Sequence, residues 1–149
     1  AYAYRTWGRA MYKRILIATD GSELAAKGVA HGIALAKDLN VPISVVTVTE
    51  AWPPFELAPI AQYEDMTTTV ASNILDKVAQ IAESQGVTCE LVHVRDQHPA
   101  EAIIATAKDK GCDLIIMASH GRRGMDRVLL GSQANEVLTY SKVPVLIVR

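Results

Sequence analysis

Apolar and polar residues alternate in two different ways along the chain from Met11 onward. Short runs rich in β-branched residues are separated by longer segments in which apolar residues recur every three or four positions. The short runs indicate strands, and the longer segments indicate helices. The strand-like runs are Arg14 to Ala18, Ile43 to Thr49, Glu90 to Val94, Asp113 to Ala118 and Val143 to Val148. Strands that alternate with helices in this way predict an α/β domain with a parallel sheet.

The segments between the runs also predict which helix faces pack on the sheet. Two sets of apolar residues recur at helical spacing and should form such faces. They are Ala25, Val29, Ile33 and Ala36 in the first segment, and Val70, Ile74, Val78 and Ile81 in the second. Gly86 and Gly111 stand where a left-handed residue would end the second and third helices. Pro99 suits the first turn of the third helix.

The order of the strands follows from the runs and from the loops after them. The first, fourth and fifth runs are almost wholly apolar, which is typical of strands covered on both faces. The third run contains His93 and is predicted to lie at an edge. A doubly wound sheet binds ligands where its winding reverses, and the orders 3-2-1-4-5 and 2-1-3-4-5 place that reversal differently. The loop from Arg95 to Pro99 has no glycine, whereas the loop after Ala118 is long, polar and glycine-rich. We therefore favour a five-stranded, Rossmann-like 3-2-1-4-5 sheet with helices on both faces.

The loop after the fourth run has the features of an anion site. Gly121 and Gly124 allow the backbone to turn and to approach a ligand closely. Gly131 and Ser132 open a predicted helix, where free N–H groups, the helix dipole and the hydroxyl converge. A phosphate chain fits such a place, and nearby arginines would add charge from the rim. These are Arg122, Arg123 and Arg127. The alternative is that Ser132 merely caps its helix and that the arginines are solvated.

Asp20, after the first run, faces the same predicted crevice. It is placed to accept a hydrogen bond from a ribose hydroxyl or to meet a divalent cation. The alternative is that Asp20 caps the first helix, in competition with Ser22. A nucleophile triad of Ser132, Asp20 and His120 is disfavoured because no GxSxG motif is present. We interpret His120 as a residue that orders the loop, and we predict no catalytic residue. The chain also lacks GxGxxG after the first run and lacks GxxxxGK[ST] throughout, which argues against a dinucleotide-binding fold and a P-loop NTPase.

Composition narrows the classes of function. The 15 basic and 16 acidic residues give a formal net charge of −1, so no overall charge favours nucleic acid or an anionic membrane. No apolar run reaches the roughly 20 residues needed to cross a bilayer. Cys89 and Cys112 are too few for a disulfide scaffold and are not spaced for zinc. Residues 1–10 lack the apolar stretch of a signal peptide. We expect an expression tail there, a single domain over 11–149 and a cytoplasmic location.

Four segments together carry a resemblance to a known family. They are KRILIATDGS (13–22), DLIIMASHGRRG (113–124), LLGS (129–132) and KVPVLIVR (142–149). With them, the chain from Met11 to Arg149 resembles the universal stress protein family over its whole length. One branch of that family binds ATP through three glycines and a hydroxyl residue that follow the fourth strand. Gly121, Gly131 and Ser132 match this motif, and Ala118 stands at its first position.

The resemblance implies that the chain binds ATP, with Mg or Mn, at the carboxyl end of the sheet. Asp20 would contact the ribose and could meet the metal through the bound nucleotide. Ala18 and Val48 would line the adenine pocket, with Met117 beside it. The backbone amides of residues 133 and 134 would meet the phosphates. The implied set is Ala18, Thr19, Asp20, Val48, Met117, Ala118, Ser119, His120, Gly121, Arg122, Arg123, Gly131, Ser132, Gln133 and Ala134.

The last run also predicts a partner. Val143 to Val148 would be an edge strand, yet it is almost wholly apolar and so is expected to be paired or covered. Pro144 suits an edge, and the family typically forms homodimers through this strand. We therefore expect a symmetric homodimer with these strands antiparallel. Three functions remain open: a nucleotide-dependent stress-response module, a slow ATPase or phosphotransferase, and an interaction protein with a vestigial site, for which Ala118 is the best argument.

Overall fold

The computed structural model describes residues 11–51, 59–121 and 130–149. The strands are β1 (Ile15–Ala18), β2 (Ile43–Thr49), β3 (Cys89–Arg95), β4 (Leu114–Ala118) and β5 (Val145–Val148). The helices are α1 (Glu23–Leu39), α2 (Ile60–Ser84), α3 (Pro99–Asp109) and α4 (Ser132–Tyr140). Strands and helices therefore alternate as the sequence pattern predicts.

The sheet has the order β3-β2-β1-β4-β5, and every neighbouring pair is parallel. This confirms the predicted 3-2-1-4-5 order, and the alternative 2-1-3-4-5 order is wrong. It also confirms that β3 is an edge strand. The winding reverses between β1 and β4, where Ile17 pairs with Ile116. The loops after these two strands consequently leave the sheet side by side.

Two apolar layers cover the sheet, one on each face. Ile15 and Ile17 point into the layer formed with α1 and α2, whereas Leu16 and Ala18 point into the layer formed with α3 and α4. Because β1 and β4 are buried on both faces, each of their residues is apolar. The alternation along a strand thus sends every second side chain towards α3 and α4.

The predicted sheet-facing stripe of α2 is confirmed at Val78 and is wrong at its two ends. Val70 and Ile81 are 48% and 45% exposed. The buried stripe is Ala71, Leu75, Val78 and Ala82. The sequence offers two adjacent apolar stripes on this helix, and the structure buries the one whose alanines allow the helix backbone to approach the sheet closely. The face predicted for α1 is confirmed, since all four of its residues are buried.

The ends of the elements follow local backbone chemistry. Gly86 and Gly111 have φ values of +71° and +67° just beyond α2 and α3, as predicted. Asn40 ends α1 in the same left-handed region at φ 55°, which the sequence analysis missed. The predicted first and fourth strands begin one residue too early, at Arg14 and Asp113. The side chain of Asp113 accepts hydrogen bonds from the amides of Lys13 and Arg14 just before the strands begin. The last strand begins after Pro144 rather than at residue 143. The ring of Pro144 removes the backbone N–H that a strand residue would donate.

Candidate functional site

The turn after β1 holds Asp20 at the carboxyl end of the sheet. The Thr19 amide donates to Val46 O at 3.0 Å, which continues the parallel ladder past the end of the strand. Asp20 Oδ1 accepts from the Ser22 amide at 2.9 Å and closes a tight turn around Gly21, whose φ is +79°. Ser22 is the N-cap of α1 and accepts from the Ala25 amide at 3.2 Å. The alternative that Asp20 caps α1 is therefore wrong.

Gly121 lies directly against the Asp20 carboxylate. A Cβ atom built at Gly121 would be 2.6 Å from Asp20 Oδ2, which is closer than such atoms approach. Glycine is therefore the residue that fits at this position while Asp20 keeps its place. The predicted meeting of the loops after β1 and β4 is confirmed by this contact.

The loop after β4 returns to its own starting point at Gly131. The Gly131 amide donates to Ser119 O at 2.7 Å, and Ser119 itself donates to Val148 O at 2.9 Å. A Cβ atom at Gly131 would lie 3.0 Å from Ser119 O and 3.3 Å from His120 Cα. Glycine thus allows the start of α4 to sit against the end of β4. Gly124, Arg122, Arg123 and Arg127 lie outside the described residues.

The start of α4 presents its first-turn amides at this same end of the sheet. Gly131 is the N-cap, so Ser132 is the first residue of the helix and does not hold the cap position. This removes the capping alternative for Ser132. The amides of the first turn of a helix have no partners within the helix, and the dipole makes this end positive. The arrangement can accept an anion.

The sequence analysis missed a link between α4 and α3. Gln133 Oε1 accepts from the Ala100 amide at 2.9 Å, which joins the first turns of the two helices. The two residues are separated by 33 positions. A glutamine near a helix start carries no local signal for such a contact. Its partner becomes apparent only when the helices are packed side by side.

The predicted base-lining side chains share one face of the sheet. Ala18, Val48 and Met117 belong to the same apolar layer as Ala134. Ala18 and Met117 are buried, and Val48 at the end of β2 is half-buried. Ala118 ends β4, and a Cβ atom built at Gly28 of α1 would lie 3.4 Å from its amide nitrogen. The structure therefore brings Ala18, Val48 and Met117 together on one face of the sheet, at the end where Asp20 meets Gly121.

The chain matches a protein family over nearly all of its length. The profile of the universal stress protein family matches residues 11–149. The chain belongs to the universal stress protein family. A universal stress protein of Methanocaldococcus jannaschii is 32% identical over 95% of this chain and 85% of its own length.

Solved universal stress proteins share this fold. UspA from Lactobacillus plantarum superposes with a TM-score of 0.83 at 19% identity. The superposition covers 95% of this chain and 100% of the UspA chain. Another universal stress protein, solved in complex with cAMP, has a TM-score of 0.71 at 25% identity. That comparison covers 93% of this chain and 97% of the other. The fold of this universal stress protein is thus shared with a relative that holds a nucleotide.

A second polar group of this universal stress protein lies at the carboxyl ends of β2 and β3. Thr49 Oγ1 and His93 Nε2 are 2.8 Å apart. Arg95 donates to Glu64 O at 2.7 Å and to the hydroxyl of Thr67. Burial, and then the positive charge of Arg95, lower the pKa of His93. The sequence analysis used His93 only as a sign of an edge strand and did not predict this group.

The arrangement of the polar side chains bears on catalysis and metal binding. His120 Nδ1 lies 3.1 Å from Ser119 Oγ, so the imidazole pairs with its neighbour in the loop. This fits the interpretation that His120 orders the loop. Within residues 11–51, 59–121 and 130–149, no group of three or more His, Cys, Asp or Glu side chains could hold a metal ion. Among the helices in these ranges, none has the length and apolar character needed to cross a membrane.

Proposed function

We propose that this universal stress protein binds an adenine nucleotide, ATP, in the crevice between the loops that follow β1 and β4. The observation that carries the proposal is the contact of Asp20 with Gly121 beside the start of α4. This contact supports the proposal because a carboxylate can accept a hydrogen bond from a sugar hydroxyl and a helix start can bind phosphates. A nucleotide needs both of these groups within one short distance.

Each part of the nucleotide has a partner in this proposal. Asp20 accepts a hydrogen bond from the ribose, and the first-turn amides of α4 bind the phosphates. The base packs against Ala18, Val48 and Met117, whose side chains share one layer. The supporting positions are Thr19, Ala118, Ser119, His120, Gly121, Gly131, Ser132, Gln133 and Ala134. Arg122 and Arg123 follow Gly121 in the sequence and are proposed to add positive charge for the phosphates.

The proposed metal is bound through the nucleotide. Mg²⁺ prefers oxygen ligands, usually retains several waters, and commonly bridges one carboxylate and substrate phosphates. Asp20 supplies one carboxylate at the site, which fits a metal that arrives with ATP rather than one that resides in the protein. The same donor set suits Mn²⁺.

The relatives support the choice of nucleotide class. A universal stress protein of this fold was solved with cAMP, which contains adenine, ribose and a phosphate. We infer that the crevice of this chain takes the same three groups. The output proposed for the protein is a nucleotide-dependent change in partner binding during a stress response in the cytoplasm.

Ala118 at the first motif position does not weaken the proposal. Within the described ranges, Asn40 is the non-glycine residue with positive φ, so Ala118 has an ordinary strand conformation. A glycine is required where φ is positive or where a Cβ atom would collide. The alanine at position 118 is therefore no reason to regard the nucleotide site as vestigial. Hydrolysis of ATP is the second candidate, and the experiment below separates it from binding.

The proposal is tested by identifying what the protein carries. Freshly purified protein, equilibrated with Mg·ATP and desalted, is denatured, and the released small molecules are separated by chromatography. ATP in near-stoichiometric amount supports the binding module, whereas ADP formed steadily over time supports the ATPase. Absence of any adenine nucleotide, together with no heat of binding at millimolar Mg·ATP, would reject the proposal.

A further inference from the structure

The first turn of α3 depends on a side chain from another helix. Its N-cap residue, His98, makes no side-chain cap hydrogen bond, and Pro99 lacks an amide hydrogen. The next amide, that of Ala100, donates to Gln133 Oε1 at 2.9 Å. Ala100 is 1% exposed, so this amide would otherwise lack water as a partner. Gln133 therefore satisfies the start of α3 from the first turn of α4.

The start of α3 also belongs to the layer in which the base is proposed to bind. Ala100 and Ile103 pack in the same buried cluster as Ala18 and Met117, with Val48 against it. Ala100, in the first turn of α3, thus belongs to the apolar layer against which the base is proposed to pack. The first turn of α4, on which Gln133 lies, is the proposed phosphate site.

We infer that Gln133 is a positioning residue whose side chain holds the first turn of α3 at a fixed distance from the phosphate-binding helix. This inference rests on the proposed function. The Gln133 carboxamide accepts the α3 amide and so acts on the base side of the crevice, although its backbone lies on the phosphate side. A hydrogen bond between two packed helices fixes their relative position more closely than apolar contact alone.

The test uses adenosine, which has no phosphate and so reports on the base side alone. Gln133→Met keeps the length of the side chain but removes the acceptor, whereas Gln133→Glu keeps an oxygen for the Ala100 amide. Loss of one buried hydrogen bond predicts about fivefold weaker adenosine binding in Gln133→Met. Gln133→Glu should restore adenosine affinity, and its carboxylate should weaken ATP binding by repelling the phosphates.

Gln85→Met is the matched control. Gln85 Oε1 accepts from Lys37 Nζ at 3.2 Å on an exposed surface at the end of α2. This variant also loses a glutamine acceptor, and adenosine affinity should stay within about twofold of wild type. Urea unfolding midpoints of all variants are measured in parallel, so that a general loss of stability is separated from a loss of binding. Hydrogen exchange at the Ala100 amide reports the bond directly and should be faster in Gln133→Met.

The adenosine affinities of wild type and the two Gln133 variants decide the proposal. Weaker adenosine binding in Gln133→Met, with recovery in Gln133→Glu, supports the positioning role. Equal adenosine affinity in wild type and Gln133→Met would overturn it, even if ATP binding differed. A wild-type protein that binds neither ATP nor adenosine would reject the proposed function itself. In that case, faster exchange at the Ala100 amide in Gln133→Met would still show that Gln133 links the two helices. The positioning role would nevertheless be rejected, because there would be no nucleotide site to position.

Discussion

The Asp20 carboxylate occupies the space in which a side chain at Gly121 would begin, 2.6 Å from the position of its Cβ atom. These residues come from loops that follow the two strands on either side of the point where the sheet reverses. Asp20 is also fixed by the Ser22 amide, so its carboxylate cannot turn without losing that bond. The two loops are therefore coupled through one carboxylate.

Gly121→Ala should reduce nucleotide affinity while leaving the fold largely intact. The new methyl group would displace Asp20 Oδ2, and the carboxylate would rotate away at the cost of its hydrogen bond from the Ser22 amide. We expect a loss of about 1 kcal/mol or less in the free energy of unfolding, and at least about tenfold weaker binding of Mg·ATP. Urea unfolding and calorimetry measure the two effects. Unchanged affinity in this variant would show that Asp20 does not contact the nucleotide.

Replacement of glycine by alanine should have opposite effects on the free energy of unfolding at two positions in α1. Alanine is favoured over glycine within a helix by about 1 kcal/mol. At Gly28 a Cβ atom meets Ala118 N at 3.4 Å, an ordinary contact, so Gly28→Ala should be neutral or stabilising. At Gly32 the same atom would lie 2.6 Å from Cδ1 of the fully buried Ile17. Gly32→Ala should therefore lower the free energy of unfolding, by about 1 kcal/mol net. Equal urea midpoints for the two variants would contradict this account of the packing.

The residues show why the fold was easier to predict than the site. The order of the strands follows from local features, namely apolar runs and the glycines after β4. The prediction of the buried face of α2 was wrong at its ends because the helix carries two adjacent apolar stripes. The choice between Val70 and Ala71 depends on how closely the helix packs on the sheet. The Gln133–Ala100 link could not be predicted, because it joins residues 33 positions apart that have no distinctive local pattern. Asp20 was predictable, since it follows the first strand and stands directly before a glycine.

Acid should destabilise the protein in part through His93. Burial and the charge of Arg95 hold the pKa of His93 below its ordinary value of 6.5 in the folded state. Below pH 6.5 the unfolded chain therefore binds more protons at this residue, so the free energy of unfolding falls as the pH drops from that value towards the folded pKa. We expect His93→Gln to lose less stability than wild type between pH 7.5 and pH 5.5. His31→Gln, at an exposed position, is the control, and parallel curves for wild type and His93→Gln would be inconsistent with this origin.

The homodimer expected through the last strand remains a proposal with a direct measurement. All four residues of β5 are half-buried, and the strand lies at an edge of the sheet. An apolar edge strand is stabilised by pairing with a second copy. Light scattering at micromolar concentration should give twice the mass of the chain. A mass equal to that of one chain at micromolar concentration would show that β5 does not pair with a second copy.

The most direct test of the nucleotide site compares two aspartates with the same local geometry. Asp20 Oδ1 accepts from Ser22 N at 2.9 Å, and Asp96 Oδ1 accepts from His98 N at 2.9 Å, but only Asp20 lies against Gly121. Calorimetry with Mg·ATP is performed on wild type, Asp20→Asn and Asp96→Asn. We predict that wild type and Asp96→Asn bind alike, and that Asp20→Asn binds at least about tenfold more weakly. Equal affinities in all three proteins, or no binding by wild type, would contradict the account.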